Sequence, residues 1–222
     1  MKVLLNLIVM LLPWRLRRLV LVKLYKYDIH PTARIGLSYI YPRHLMMEAG
    51  ATIGHLNVAI HLESIRMGKN CTISQRNWIT GFPLSAASRH FSHKPGRRPM
   101  LVIGDESAIT KQHHIDCTDC VTIGRFVTIA GYGSQFLTHS IDVYWNRQDC
   151  HPISIGDYCF VGTGVKVLGG AVLPPHSVLA AGAVLAKQYS AEWTLYVGVP
   201  ARAVKEIPRS AAYFSRLEGY VY

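Results

Sequence analysis

Among the eleven histidines of this 222-residue chain, a few stand where proton transfer could be done. His139 lies in Thr138-His139-Ser140-Ile141-Asp142, His113 and His114 are adjacent, and His151 precedes Pro152. Imidazole is the side chain whose ordinary pKa lets it take up and return a proton near neutral pH. Asp116 and Asp142 are candidates to orient such a ring, with Asp142 nearer in sequence to His139. Cys117 and Cys120 form a lone C-x-x-C. A zinc site would need two more ligands and no second pair exists, so two small residues at backbone corners is the plainer reading. Five cysteines, an odd number, give no disulfide framework of the secreted kind.

The elements that must position these groups are announced by a six-residue beat. Ile155, Val161, Val167, Leu173, Leu179 and Leu185 fall at every sixth position, and Val197 keeps the register after a skipped slot. A period of six fits neither a helix nor a single strand. It fits a coil of triangular cross-section, in which each short strand sends one aliphatic side chain inward. The beat runs backward through Ile123 and Ile129, Ile103 to Ile115, Met67 to Ile79, and Ile35, Tyr41, Met47 and Ile53. Its slips mark loops that leave the prism. Those at 82–100 and 132–152 divide a β-helix spanning 28–207, an all-β architecture whose coils each bury their inward row against neighbours.

Residues 1–27 lie outside the beat. Val3 to Leu12 is apolar but too short to span a bilayer, which takes about 20 residues. Trp14 and the cations Arg15, Arg17, Arg18, Lys23 and Lys26 follow. A short helical segment is expected there, either lying in a membrane interface near anionic headgroups or packed on the side of the β-helix. With either, the body of the protein is expected to be cytoplasmic, on the inner face of the membrane if the segment binds lipid. The net charge of +11 is concentrated in this segment and in Arg89 to Arg98. No helix-turn-helix, RNA-binding or zinc-finger signature accompanies it, so no nucleic-acid partner is expected. The loop 82–100 could clamp an anionic substrate, reach a neighbour, or be a solvated excursion. Residues 208–222 form an aromatic tail, expected to pack back on the assembly rather than leave Tyr213, Phe214 and Tyr220 wet.

The repeat, the Thr138–Asp142 segment, the return through His151-Pro152-Ile153-Ser154-Ile155-Gly156 and the ending Gly198-Val199-Pro200-Ala201-Arg202-Ala203-Val204 resemble the hexapeptide-repeat acyltransferases. That group includes galactoside and maltose O-acetyltransferases, nodulation acetyltransferases and the acetyltransferases of polysaccharide gene clusters. His113-His114-Ile115-Asp116-Cys117 looks most like the last of these. The resemblance covers roughly Asp28 to Ile207 and implies a left-handed winding, a homotrimer with sites between adjacent prisms, and acetyl transfer from acetyl-CoA to a hydroxyl. It implies that His139 is the general base. His113 is similarly placed to hold the acceptor, with His114 or Gln112 as neighbours that could do so, and Asp142 is taken to orient the base. Trp145 could stack on a sugar ring or pack at a subunit seam. His151 sits in a stretch similar to that of serine acetyltransferases, which would make it a substrate contact.

Carried over residue by residue, the donor site would use Thr163 and Ala181 for backbone contacts, Ala186 with Lys187, and Arg202 and Lys205. The three cations are placed to meet phosphate oxygens, or else are solvated on the last coil. Ala186 stands where the family often has Thr. The resemblance thus implies an O-acetyltransferase acting on a surface polysaccharide or its precursor, with a carbohydrate acceptor that could be lipid-linked and no metal. The alternatives are N-acylation of an amino sugar, a serine acetyltransferase, a γ-class carbonic anhydrase and a non-catalytic scaffold.

Overall fold

The computed structural model describes residues 2–221. Met1 and Tyr222, the outer ends of the N-terminal segment and of the tail, lie outside the described residues. The chain winds through three parallel sheets that form the faces of a prism. The first face has seven strands, from Asp28–Ile29 to Val172–Leu173. The second has nine, ending in Thr194–Val197 and the antiparallel Arg202–Glu206. The third has seven, from Tyr39–Tyr41 to Val184–Leu185.

The six-residue beat is the step from face to face. Ile155, Val161 and Val167 point inward from the first, second and third faces, and Leu173, Leu179 and Leu185 repeat the round one coil later. All six side chains are buried, as are Ile73, Ile79, Ile109 and Ile115 below them. Each contributes about 1.5–3 kcal/mol relative to an exposed position. Two positions depart from the expected beat. Ile40, not Tyr41, is the buried residue of the first coil, because the Tyr41 ring turns outward and its hydroxyl donates to Asn6 O (2.6 Å). In the last coil Tyr196 is fully buried and pairs with Leu179, while Val197 is exposed.

A polar ladder closes the edge between the second and third faces. Ser38 Oγ accepts the backbone N–H of Asn57, Asn57 Oδ1 accepts that of Asn77, and Asn77 Oδ1 accepts that of His113. His113 Nδ1 takes the next rung from Ser134 N (3.1 Å). These corner amides would otherwise be buried unpaired, at about 1–3 kcal/mol each.

Two helices precede the coils, Lys2–Leu11 and Trp14–Lys23, broken at Pro13, which cannot supply the amide that a continuous helix needs. The second carries a buried Leu21, and its Arg17 donates to Gly36 O (2.8 Å) and Ser38 O (2.7 Å). At the other end, the tail packs on the chain's own prism. Phe126, Tyr158, His176 and Trp193 stack along one edge with centroids 4.6, 5.3 and 4.4 Å apart. Phe214 closes on the last two, and Arg216 lies 3.9 Å over the Tyr213 ring.

Candidate active site

The excursions converge on the edge between the third and first faces. The strand Trp78–Thr80 leads into the loop 82–100, and His114–Asp116 leads into the Cys117–Cys120 turn. Gln135–Leu137 leads into an antiparallel hairpin, His139–Asp142 with Arg147–Cys150. The second excursion is therefore shorter than 132–152. Residues 135–137 still form a coil strand, with Phe136 fully buried at its centre.

Parallel stacking puts Asp116 against Leu137 in register, directly beneath the first residues of the hairpin. Its carboxylate is buried and collects donors from two segments. Oδ2 accepts from Thr138 N (3.0 Å), Thr138 Oγ1 (2.8 Å), His139 N (3.1 Å) and the imidazole Nδ1 of His139 (2.8 Å). Oδ1 accepts from Thr118 N and Thr118 Oγ1. Burial works against the Asp116 charge, but the bonds from His139, Thr118 and Thr138 prevail and hold its pKa below the usual carboxylate range. The bond to Asp116 raises the His139 pKa above its ordinary value, with burial opposing. An ionised acceptor at Nδ1 fixes the tautomer, so Nε2 is the nitrogen left to accept a proton.

Asp116, rather than Asp142, is thus the residue that orients His139. Asp142 instead turns the hairpin, accepting from Tyr144 N (3.1 Å) and Trp145 N (3.3 Å). Proximity in sequence misleads here because a strand points residues away from each other, while coil stacking joins residues about 22 positions apart. His113 is also not an acceptor contact. It is buried as a rung of the corner ladder, its Nε2 bonds Thr110 Oγ1 (3.0 Å), and burial lowers its pKa to about 4. His114 is half-buried on the third face, paired with Trp78 and Gln135. Trp145 is exposed at the hairpin tip, with Arg147 over its ring at 5.8 Å.

The loop 82–100 supplies a wall that sequence reasoning left undecided. Phe91 is buried and meets the His139 ring edge-on, centroids 6.3 Å apart at 90°. Arg97 lies over both Phe82 and Phe91 and donates to Phe82 O, Thr118 O and Pro83 O. Asp149 of the hairpin binds Lys94 (2.9 Å) and His93 (3.5 Å) of the loop and His151 (3.3 Å) beyond it. Burial opposes the Asp149 charge, yet Lys94, the Cys150 amide and His151 bring its pKa to about 2. A lone acid in Arg147-Gln148-Asp149-Cys150, facing a loop of cations, was the available signal.

The expected donor-site residues divide between places. Thr163 and Ala181 stand at the second–third edge, Ala186 and Lys187 at the third–first edge. The Thr163 hydroxyl closes on the coil below, bonding Tyr132 N (3.1 Å) and Tyr132 O (2.9 Å). Around them the edge becomes bare. Leu56, Arg76 and Gln112 occupy its positive-φ corners low in the prism, whereas Gly133, Gly164 and Gly182 hold them higher up, and a Cβ there would meet open space. Ala186, Lys187 and Arg202 line one cavity of about 490 Å³ with Tyr189 and Pro200. Lys205 lies further along the Arg202–Glu206 strand.

The fold is a left-handed parallel β-helix, which solved acyltransferases share. AntD, an N-acyltransferase from Bacillus cereus solved with dTDP and 3-hydroxybutyryl-CoA, shares it at a TM-score of 0.53 and 14% identity, over 77% of this chain and 84% of that one. A hexapeptide-repeat-containing acetyltransferase from Vibrio cholerae, also solved with acetyl coenzyme A, is 29% identical with a TM-score of 0.46. That match covers 49% of this chain and 63% of the Vibrio protein, so this chain spans less than two thirds of that relative's length. No family model matches the sequence, and no curated protein matches it.

Proposed function

We propose that the chain is an acetyl-CoA-dependent O-acetyltransferase acting on a sugar hydroxyl of a surface polysaccharide or its precursor. The observation that carries this reading is the Asp116–His139 pair, an imidazole with Nδ1 pinned at 2.8 Å and its side chain 44% exposed beside the Phe91 wall. A sugar hydroxyl is a poor nucleophile at neutral pH. His139 Nε2 takes its proton as the oxygen attacks the thioester carbonyl, and the imidazolium then returns that proton to the thiolate released when the C–S bond breaks. Asp116 stabilises the transient imidazolium. Backbone N–H groups at the Thr163 corner are the donors proposed for the charge developing on the carbonyl oxygen. Lys187 and Arg202 in their shared cavity suit the phosphates of CoA, and the glycine-lined edge suits a pantetheine arm that needs no side-chain pockets.

A homotrimer belongs to the same proposal. The bare edge and the His139 edge flank opposite sides of the third face. Ala181 and Ala186, one on each edge, are five positions apart in the chain, at most about 16 Å. A thioester lying in the bare edge of one copy is best served by the imidazole of a neighbour. The test is free-thiol release from acetyl-CoA against a panel of sugars and amino sugars, with the base-lability of the product recorded. A base-labile ester on a sugar is expected. A base-stable amide would move the reading to N-acylation, and no thiol release with any acceptor would remove it.

A further inference from the structure

The N-terminal helix is built inside out. Its one uncharged polar side chain, Asn6, is buried against the prism, donating to Tyr39 OH (3.2 Å) and accepting from Tyr25 OH (2.6 Å), while Tyr41 OH bonds its carbonyl (2.6 Å). Six of the ten residues in Lys2–Leu11 are large apolar side chains open to solvent, among them Leu4, Ile8 and Leu11. At 100° per residue the six cover an arc of about 200°. A helix resting on a water-soluble body shows the reverse pattern. Leu16 and Leu19 of the next helix are exposed as well.

We infer that this helix pair is a foot that lays the protein on an anionic lipid bilayer. The first helix is about 15 Å long, half the thickness of a hydrocarbon core, so it lies in the plane of the interface rather than across it. Among the described residues no helix is long and apolar enough to cross a membrane. Charge selects the partner. The first 27 residues hold six Lys and Arg and no Asp or Glu. Arg17 and Arg18 are tied to backbone carbonyls of the first coil, which fixes the second helix on the prism, and Arg15, Lys23 and Lys26 remain exposed. The same face on a second copy would oppose cation to cation, whereas acidic headgroups complement it. The inference does not depend on the acyl-transfer reading.

The test is flotation of the full chain with phosphatidylcholine vesicles, with and without phosphatidylglycerol. Wild type should float with the acidic vesicles and be partly released by salt. Leu4→Glu with Ile8→Glu should lower the bound fraction by more than about tenfold, and Arg15→Gln with Lys23→Gln by roughly fivefold per cation removed. Both variants should keep the wild-type melting temperature and thiol release in vesicle-free solution, since none of the four residues belongs to the core or the site. Wild type that stays in solution with every vesicle would overturn the proposal. So would a Leu4→Glu, Ile8→Glu protein that floats like wild type, or one whose only change is a smaller particle in sedimentation, which would assign the face to a second copy.

Discussion

Replacing Asp116 with Asn removes one negative charge and one acceptor from the most densely bonded group of the site. In the native arrangement Oδ2 serves four donors and Oδ1 two, both from Thr118. An amide can keep its oxygen toward His139 only by turning its NH2 toward the Thr118 amide, which loses its partner. That donor costs about 1–3 kcal/mol, a fall in Tm of roughly 2–4 °C per kcal/mol for a chain of this size. The effect on chemistry is larger. His139 sits above its ordinary pKa because of the bond to Asp116, against an opposing contribution from burial. Proton uptake needs neutral imidazole, so the acid limb of kcat/KM in wild type lies above the ordinary 6.5. With the carboxylate gone only burial remains, and the limb moves to lower pH. Turnover falls even so, by about 10²–10⁴, because a neutral amide no longer stabilises the imidazolium, and one that turns its NH2 toward Nδ1 imposes the other tautomer. The assay is thiol release followed across the pH range on both sides of neutrality, with thermal unfolding as the control for fold. An acid limb that stays in place in Asp116→Asn, or turnover that survives undiminished, would refute the assignment of Asp116 as the positioning carboxylate.

Lys187→Ala and Arg202→Ala, which strip the cavity at the end of the prism, are expected to raise KM for acetyl-CoA by about tenfold each with kcat nearly unchanged, as for contacts made equally in ground and transition states. Phe136→Ala empties the fully buried centre of the coil strand below the hairpin and should cost about 3–5 kcal/mol, read by denaturant unfolding. His113 is neutral in the fold with a pKa near 4 and ordinary when unfolded. The unfolded chain therefore binds the extra proton first, and the His113 contribution to stability is whole above pH 6.5 and is lost as pH falls toward 4. A His113→Asn variant, which keeps a ladder rung, should flatten that part of the stability-against-pH curve.

Much of the fold was legible because inward aliphatics obey one geometric rule. Ile155 to Leu185 fall on successive faces as the beat requires, and all are buried. The rule fails where a large aromatic can serve either side. Tyr41 and Val197 keep the count yet face outward, and Ile40 and Tyr196 fill the core one residue earlier. Phe136 escaped for a related reason, since Gly131 to Gly133 lengthen the corner and shift the register by one. Periodicity within a coil is local, whereas contacts between coils depend on how many residues each corner extrudes. The site shows the same division. His139 was legible from its segment, but its carboxylate was not, because Asp116 reaches it through stacking. His113 looked chemical by type, and its burial becomes apparent only when Ser38, Asn57 and Asn77 are seen as rungs below it.

The most direct measurement is the rate of thiol release from acetyl-CoA by His139→Ala, at saturating donor and acceptor, beside its affinity for acetyl-CoA. Loss of a positioned general base should lower turnover by on the order of 10²–10⁴, while the Asp116-free face of the imidazole plays no part in donor binding and affinity should be unchanged. Turnover equal to wild type would contradict the role given to His139, and with it the account of the edge where Asp116, Phe91 and the hairpin meet.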